Sequence, residues 1–182
     1  MADRLRLFVA VELPLPAREA LAAFRDRADP ELWRPVRDES LHLTLAFLGH
    51  RPEGDVETVR GVLEACAGGP RIPLVLGAGL LLPPRRARVL CAEVGDVAGE
   101  LAALQSRVSE GLVGAGVYEP ERRPFRAHAT VARLRAGARS PRPGGVGGPE
   151  PVAFAGEALT LYRSHLARAG ARYEPVERIA LG

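Results

Sequence analysis

Apolar positions along the chain follow two periods, and the switches between them mark the elements. Leu5, Leu7, Val9 and Val11 alternate across Arg4–Glu12, the period of a strand. Beyond Pro14, Leu21 and Phe24 fall at helical spacing and predict a helix over Ala17–Ala28, with Pro16 tolerated at its first turn. Leu41–Leu48 predicts a second strand, led in by Asp38, Glu39 and Ser40 and ended by Gly49. Val56, Val59, Val62 and Leu63 form a helical stripe across Asp55–Ala67, stopped by Gly68, Gly69 and Pro70. Ile72–Leu82 and Arg88–Val94 flank a short PPRR turn and predict a hairpin. Leu101, Leu104, Val108 and Leu112 predict a third helix over Val97–Leu112. Ala127–Leu134 reads as a strand, and Val152–Tyr162 and Ala171–Ala180 as two closing strands around an RSHLARAG turn. Between them residues 136–151, dense in Gly and Pro and without apolar periodicity, predict an exposed surface loop.

Strands and helices in this order do not keep a strict βαβ rhythm, so the pattern favours an α+β fold over a doubly wound parallel sheet. Two strands share an odd feature. LHLTLAFLG (Leu41–Gly49) and AHATVARL (Ala127–Leu134) each carry a histidine and a threonine two apart in an apolar frame. Residues i and i+2 of a strand share a face. His42 and Thr44 therefore project together, as do His128 and Thr130, while Leu41, Leu43 and Leu45, or Ala127, Ala129 and Val131, face the core. The copies lie 86 residues apart, near the middles of the two halves. The expectation is an internal duplication over residues 1–182, each half giving one sheet with an apolar back beneath helices and the two fronts across a central cleft.

Composition narrows the classes. The 182 residues are 47% hydrophobic, enough for a sizeable core, and no apolar run approaches the length of a membrane helix. The opening MADRLRLFVAVELP lacks the form of a signal peptide, and a cytoplasmic protein is the simplest expectation. Cys66 and Cys91, without CxxC spacing, read as buried reduced thiols. Every basic residue is arginine, yet the net charge is only +3, which argues against a large nonspecific nucleic-acid surface. Nothing points to a large apolar seam, so a monomer is expected.

Two imidazoles and two hydroxyls around one point suit an in-line displacement at phosphorus. One ring accepts a proton from water, the other protonates the leaving oxygen, and the threonines hold the non-bridging oxygens as charge grows. The near symmetry leaves open which histidine does which. Unpartnered burial costs on the order of 1–3 kcal/mol per polar group, so four such groups in matched frames point to a site rather than to chance. A zinc site on His42 and His128 lacks a third ligand of suitable type, and no metal is expected.

These motifs resemble the paired HxTx motifs of the 2H phosphoesterase superfamily, and within it the RNA 2′,3′-cyclic phosphodiesterases, once described as bacterial and archaeal 2′-5′ RNA ligases. RLFVAVELP resembles that family's opening strand, RPFRAHATVAR its second motif with flanks, and LTLYRSHLARAGARYEPVERIAL its closing strand pair. The resemblance implies a single α+β domain of two lobes over residues 1–182, bilobal and pseudo-symmetric, with two antiparallel sheets facing an open central cleft and helices on the outside, without metal or cofactor. It implies hydrolysis of a 2′,3′-cyclic phosphate on an RNA end to a 2′-phosphomonoester, with His42 as proton donor, His128 as proton acceptor, and Thr44 and Thr130 on the phosphate. The alternatives are 2′-5′ RNA ligation at the same site, or a non-catalytic module binding RNA ends or nucleotides. The Gly/Pro segment 136–151 departs from the family's longer helical segment, and Ala129 is smaller than usual at its position.

Arg126, two residues before His128, is placed to share the motif face and reach a phosphate. Arg133, five after it, falls on the opposite face of a regular strand and helps only if it sits at the strand end. Phe125 is expected in the core, and Trp33 and Tyr118 either there or at the cleft rim. His50 and His165 read as surface histidines.

Overall fold

Strand β1 (Arg4–Glu12) forms as its alternation predicts, and its two faces serve different ends. Leu5, Leu7, Val9 and Val11 enter the main core, whereas Phe8 and Ala10 join Tyr162 and Tyr173 in a small separate cluster on the other side. The computed structural model describes residues 4–69, 71–141, 146–167 and 170–182. The order continues α1 (Leu15–Asp26), β2 (Trp33–Pro35), a 3₁₀ turn at Asp38–Ser40, β3 (His42–Pro52), α2 (Asp55–Ala67), β4 (Pro73–Leu82), β5 (Val89–Gly95), α3 (Glu100–Gly114), β6 (His128–Leu134), β7 (Ala153–Ala155), β8 (Ala158–Ala167) and β9 (Gly170–Ala180).

The sheet runs β7-β4-β5-β6-β3-β1-β8-β9, with β2 added against β6, and its neighbours pair antiparallel. Its strand order divides into two halves, β7-β4-β5-β6 and β3-β1-β8-β9. The halves are not separate sheets. They meet where β3 pairs with β6 at Leu43↔Ala129. That small joint lets the motif strands lie side by side and then diverge, which opens a cleft between their fronts.

The helices cover the opposite face. α1 lies against β6 and β7, α2 against β8 and β9, and α3 against β3 and α2. Leu101, Leu104, Val108 and Leu112 of α3 are all fully buried, each such side chain contributing about 1.5–3 kcal/mol relative to exposure. Gly116 ends that helix region at φ 72°, and the Val117 amide closes onto the Leu112 carbonyl at 3.0 Å. No helix among the described residues is long and apolar enough to cross a membrane.

Several boundaries differ from the sequence reading. β3 does not stop at Gly49. It continues to Pro52, because Gly49 takes φ 72° beside a bulge and the ladder resumes at Leu7↔Gly49. β8 extends to Ala167, so His165 lies in a strand rather than a turn. Within the Gly/Pro segment, residues 142–145 lie outside the described residues. The stretch after them packs on β4, where Gly79 N donates to Gly147 O and Leu76 N to Val152 O at 3.0 Å.

Candidate active site

Both motif histidines are held by the same local device. His42 Nδ1 donates to the Ser40 carbonyl at 2.7 Å, and His128 Nδ1 donates to the Arg126 carbonyl at 2.7 Å. In each case the acceptor lies two residues upstream, just before the strand begins. This fixes the ring orientation and leaves Nε2 as the working nitrogen. His42 Nε2 lies 3.1 Å from Thr44 Oγ1. Both histidines and both threonines line one cleft of about 150 Å³, a space suited to a phosphate group and its near neighbours. The partners of the motif strands match as well, since β1 sets Glu12 opposite His42 and β5 sets Glu93 opposite His128.

A bulge follows each motif. On β3 the register steps from Ala10↔Thr44 to Val9↔Ala46, so Leu45 is the extra residue. On β6 it steps from Cys91↔Thr130 to Leu90↔Ala132, so Val131 is the extra residue. The extra residue inverts the alternation: Leu45 and Ala46 are both buried, as are Val131 and Ala132. The next residues then turn to the cleft, which is why Phe47 and Arg133 line it. Simple alternation placed Arg133 on the far face. The bulge corrects that, and Arg133 faces the site with Nη2 3.5 Å from the Tyr173 hydroxyl.

Arg126 goes the other way. Its guanidinium binds Glu93 Oε1 at 2.9 Å and is not part of the cleft lining. The expectation that its side chain reaches a phosphate is not met in this arrangement, because the carboxylate beside it takes the fork. Its carbonyl, not its charge, serves His128.

His42 is the more enclosed ring. Phe8, Tyr173 and Tyr162 surround it with ring centroids at 4.9, 5.3 and 5.9 Å. Burial pushes its pKa down to about 4, and the Arg133 and His128 charges push the same way against the Ser40 carbonyl. His42 is thus neutral near pH 7. The Tyr162 wall is anchored from behind. Glu12 accepts from Thr160 Oγ1 at 2.7 Å, from the Tyr162 hydroxyl at 3.3 Å and from Arg178 Nε at 2.7 Å. Beside Thr130, Cys91 is fully buried with Sγ 3.6 Å from the threonine oxygen, and burial lifts its thiol to about 11, so it stays protonated.

Sequence reasoning missed Arg6, Phe8, Phe47 and Tyr173 as cleft residues. The first two had a signal, since even positions of β1 face away from the helices. Arg6 lies over the Phe47 ring at 4.5 Å and donates to Ser164 Oγ at 2.6 Å. The remaining candidates sit elsewhere. Trp33 is buried, and Tyr118 and Phe125 pack partly buried against the main core. His50 is exposed, and His165 pairs with Glu174 at 2.6 Å. Cys66 and Cys91 are both free. Among the described residues, no group of three or more His, Cys, Asp or Glu is arranged to hold a metal ion.

Comparison with known proteins gives a consistent result. The model of the 2′-5′ RNA ligase superfamily matches residues 13–168. The chain is 33% identical to the RNA 2′,3′-cyclic phosphodiesterase of Escherichia coli, over 100% of this chain and 99% of that protein. It is 33% identical to the protein of the same name from Thermus thermophilus, over 97% and 90% of the two chains. Among solved structures, TT0787 of Thermus thermophilus superposes with TM-score 0.80 at 30% identity, covering 97% of each chain. Escherichia coli LigT complexed with 3′-AMP superposes with TM-score 0.74 at 30% identity, over 98% of this chain and 99% of that one.

Proposed function

The chain belongs to the 2′-5′ RNA ligase superfamily, and from that membership and the geometry of its cleft we propose that it is an RNA 2′,3′-cyclic phosphodiesterase working through His42 and His128. The observation that carries this reading is the pair of Nδ1-anchored imidazoles on matched strands in one cleft. The substrate is an RNA end or nucleotide bearing a 2′,3′-cyclic phosphate, and the product is its 2′-phosphomonoester.

In the reaction, His128 Nε2 takes a proton from water as the water oxygen bonds to phosphorus. The bond to the 3′ oxygen breaks, and His42 Nε2 gives that oxygen a proton. Thr44, Thr130 and Arg133 hold the non-bridging oxygens as negative charge builds. This assignment requires a protonated His42, while burial keeps its pKa near 4. The phosphate acts against that depression: a bound anion offsets the Arg133 and His128 charges and raises the ring's proton affinity. The free thiols Cys66 and Cys91 support a reducing, cytoplasmic setting.

The test is hydrolysis of a nucleoside 2′,3′-cyclic phosphate, with the product isomer identified. His42→Ala and His128→Ala are each expected to lower kcat by roughly 10²–10⁴-fold. The limb of the pH profile assigned to His42 should lie at higher pH in kcat than in kcat/KM, because kcat reports the substrate-bound ring. Full activity in either alanine variant overturns the two-histidine reading. A His42 limb along which both kinetic parameters rise with pH would exchange the roles of the two rings.

A further inference from the structure

The net charge of +3 conceals a separation of charge along the chain. Residues 65–92 and 122–149 contain eleven arginines and no aspartate or glutamate. The fold sets strands from these two segments side by side, because β5 pairs with β6 along Val89↔Arg133 to Glu93↔His128. At the end of this pair the β4–β5 turn presents Arg85, Arg86 and Arg88, all exposed. The turn is firmly held. Arg86 N donates to Pro83 O at 3.2 Å, Arg88 N to Leu82 O at 2.7 Å, and Leu134 N to Arg88 O at 2.8 Å, with Ala87 buried beneath.

Some arginines of the molecule are neutralised: Arg25, Arg51, Arg60 and Arg178 each hold a carboxylate. Among the described residues, none of the three turn arginines has a carboxylate within ion-pair distance. Like charges fixed this close repel one another and add nothing to folding stability, but they focus an attractive field for a polyanion. The cluster also adjoins the site. Arg133, which lines the cleft, stands opposite Val89, the first residue of β5 beyond the turn. The turn arginines begin one residue beyond Val89, the partner of Arg133, so the turn starts beside the cleft and leads away from it.

We propose that Arg85, Arg86 and Arg88 form a docking track for the phosphate backbone of an RNA chain whose cyclic-phosphate end occupies the cleft. This rests on the cleft reading above and extends it from the terminal nucleotide to the body of the substrate. Guanidinium forks grip phosphate oxygens without reading bases, so the track favours length over sequence.

The test compares the full-length protein with an Arg85→Ala/Arg86→Ala/Arg88→Ala variant on two substrates, a nucleoside 2′,3′-cyclic phosphate and an RNA of about ten nucleotides with a cyclic end. The variant should raise KM for the longer RNA by roughly 10-fold or more at low salt. Its log–log salt dependence should be shallower by about 2, the value for three single-strand phosphate contacts. Turnover of the mononucleotide should be unchanged, and the triple lysine variant should restore the salt slope. Equal effects on both substrates, or none on the longer one, overturn the track. If the wild-type protein hydrolyses neither substrate, the cleft reading fails, and the track is then judged by binding of the same RNA: weaker binding by the alanine variant supports it, equal binding overturns it.

Discussion

Two imidazoles with the same anchor differ in what presses on them. His42 stands among three aromatic rings and feels the Arg133 charge, and burial leads the fall of its pKa to about 4. Arg133 therefore lowers the ring's pKa, and in the proposed reaction it would also bind the phosphate whose negative charge offsets that effect. Arg133→Ala should lower kcat/KM by roughly 100-fold, the loss of one strong oxyanion donor. It should also move the His42 titration upward, seen by NMR of the ring protons, yet leave it below 6.5 because burial persists. Arg126→Ala should do neither, since its guanidinium rests on Glu93 and only its carbonyl serves His128. A large activity loss in Arg126→Ala with His42 unmoved would give that side chain the phosphate role after all.

At the level of elements, the bulges at Leu45 and Val131 decide which residues reach the cleft. The first four positions of each motif were legible from period-2 alternation, because they come before the bulge. Phe47 and Arg133 were not, because a bulge exists only in the register of two strands and one strand's sequence does not show it. Tyr173 was hidden for a related reason. It reaches His42 from β9, across a neighbour relation that only the sheet order reveals. The short β2 and β7 strands left no periodic trace, being three residues each. Gly49 was visible but misread as a stop, when its φ of 72° is what lets β3 pass its second bulge. A Cβ added there meets nothing within 4 Å, so Gly49→Ala isolates backbone strain. It should cost about 1–2 kcal/mol in urea unfolding, with catalysis by the folded fraction little changed. A neutral effect would show that β3 can repair its register without the left-handed residue.

For the whole molecule, the cleft's chemistry carries a stability cost that depends on pH. His42 titrates near its ordinary 6.5 in the unfolded chain and near 4 in the folded one. Above 6.5 both states hold a neutral ring, and folding is not opposed. As pH falls from 6.5 toward 4, the unfolded chain takes up a proton that the folded chain refuses, so stability is lost across that window. The size of the loss is about 2 kcal/mol between about pH 7.5 and pH 5, taking the unfolded and folded values as they stand. His42→Phe keeps a ring among Phe8, Tyr162 and Tyr173 but cannot charge. Urea unfolding of the two proteins at both pH values separates this contribution from that of the carboxylates, which the substitution leaves in place. The wild-type protein should lose more stability on acidification than His42→Phe by that amount. Parallel losses would mean that His42 titrates normally in the folded chain, and the substrate would then have no depressed ring to recharge.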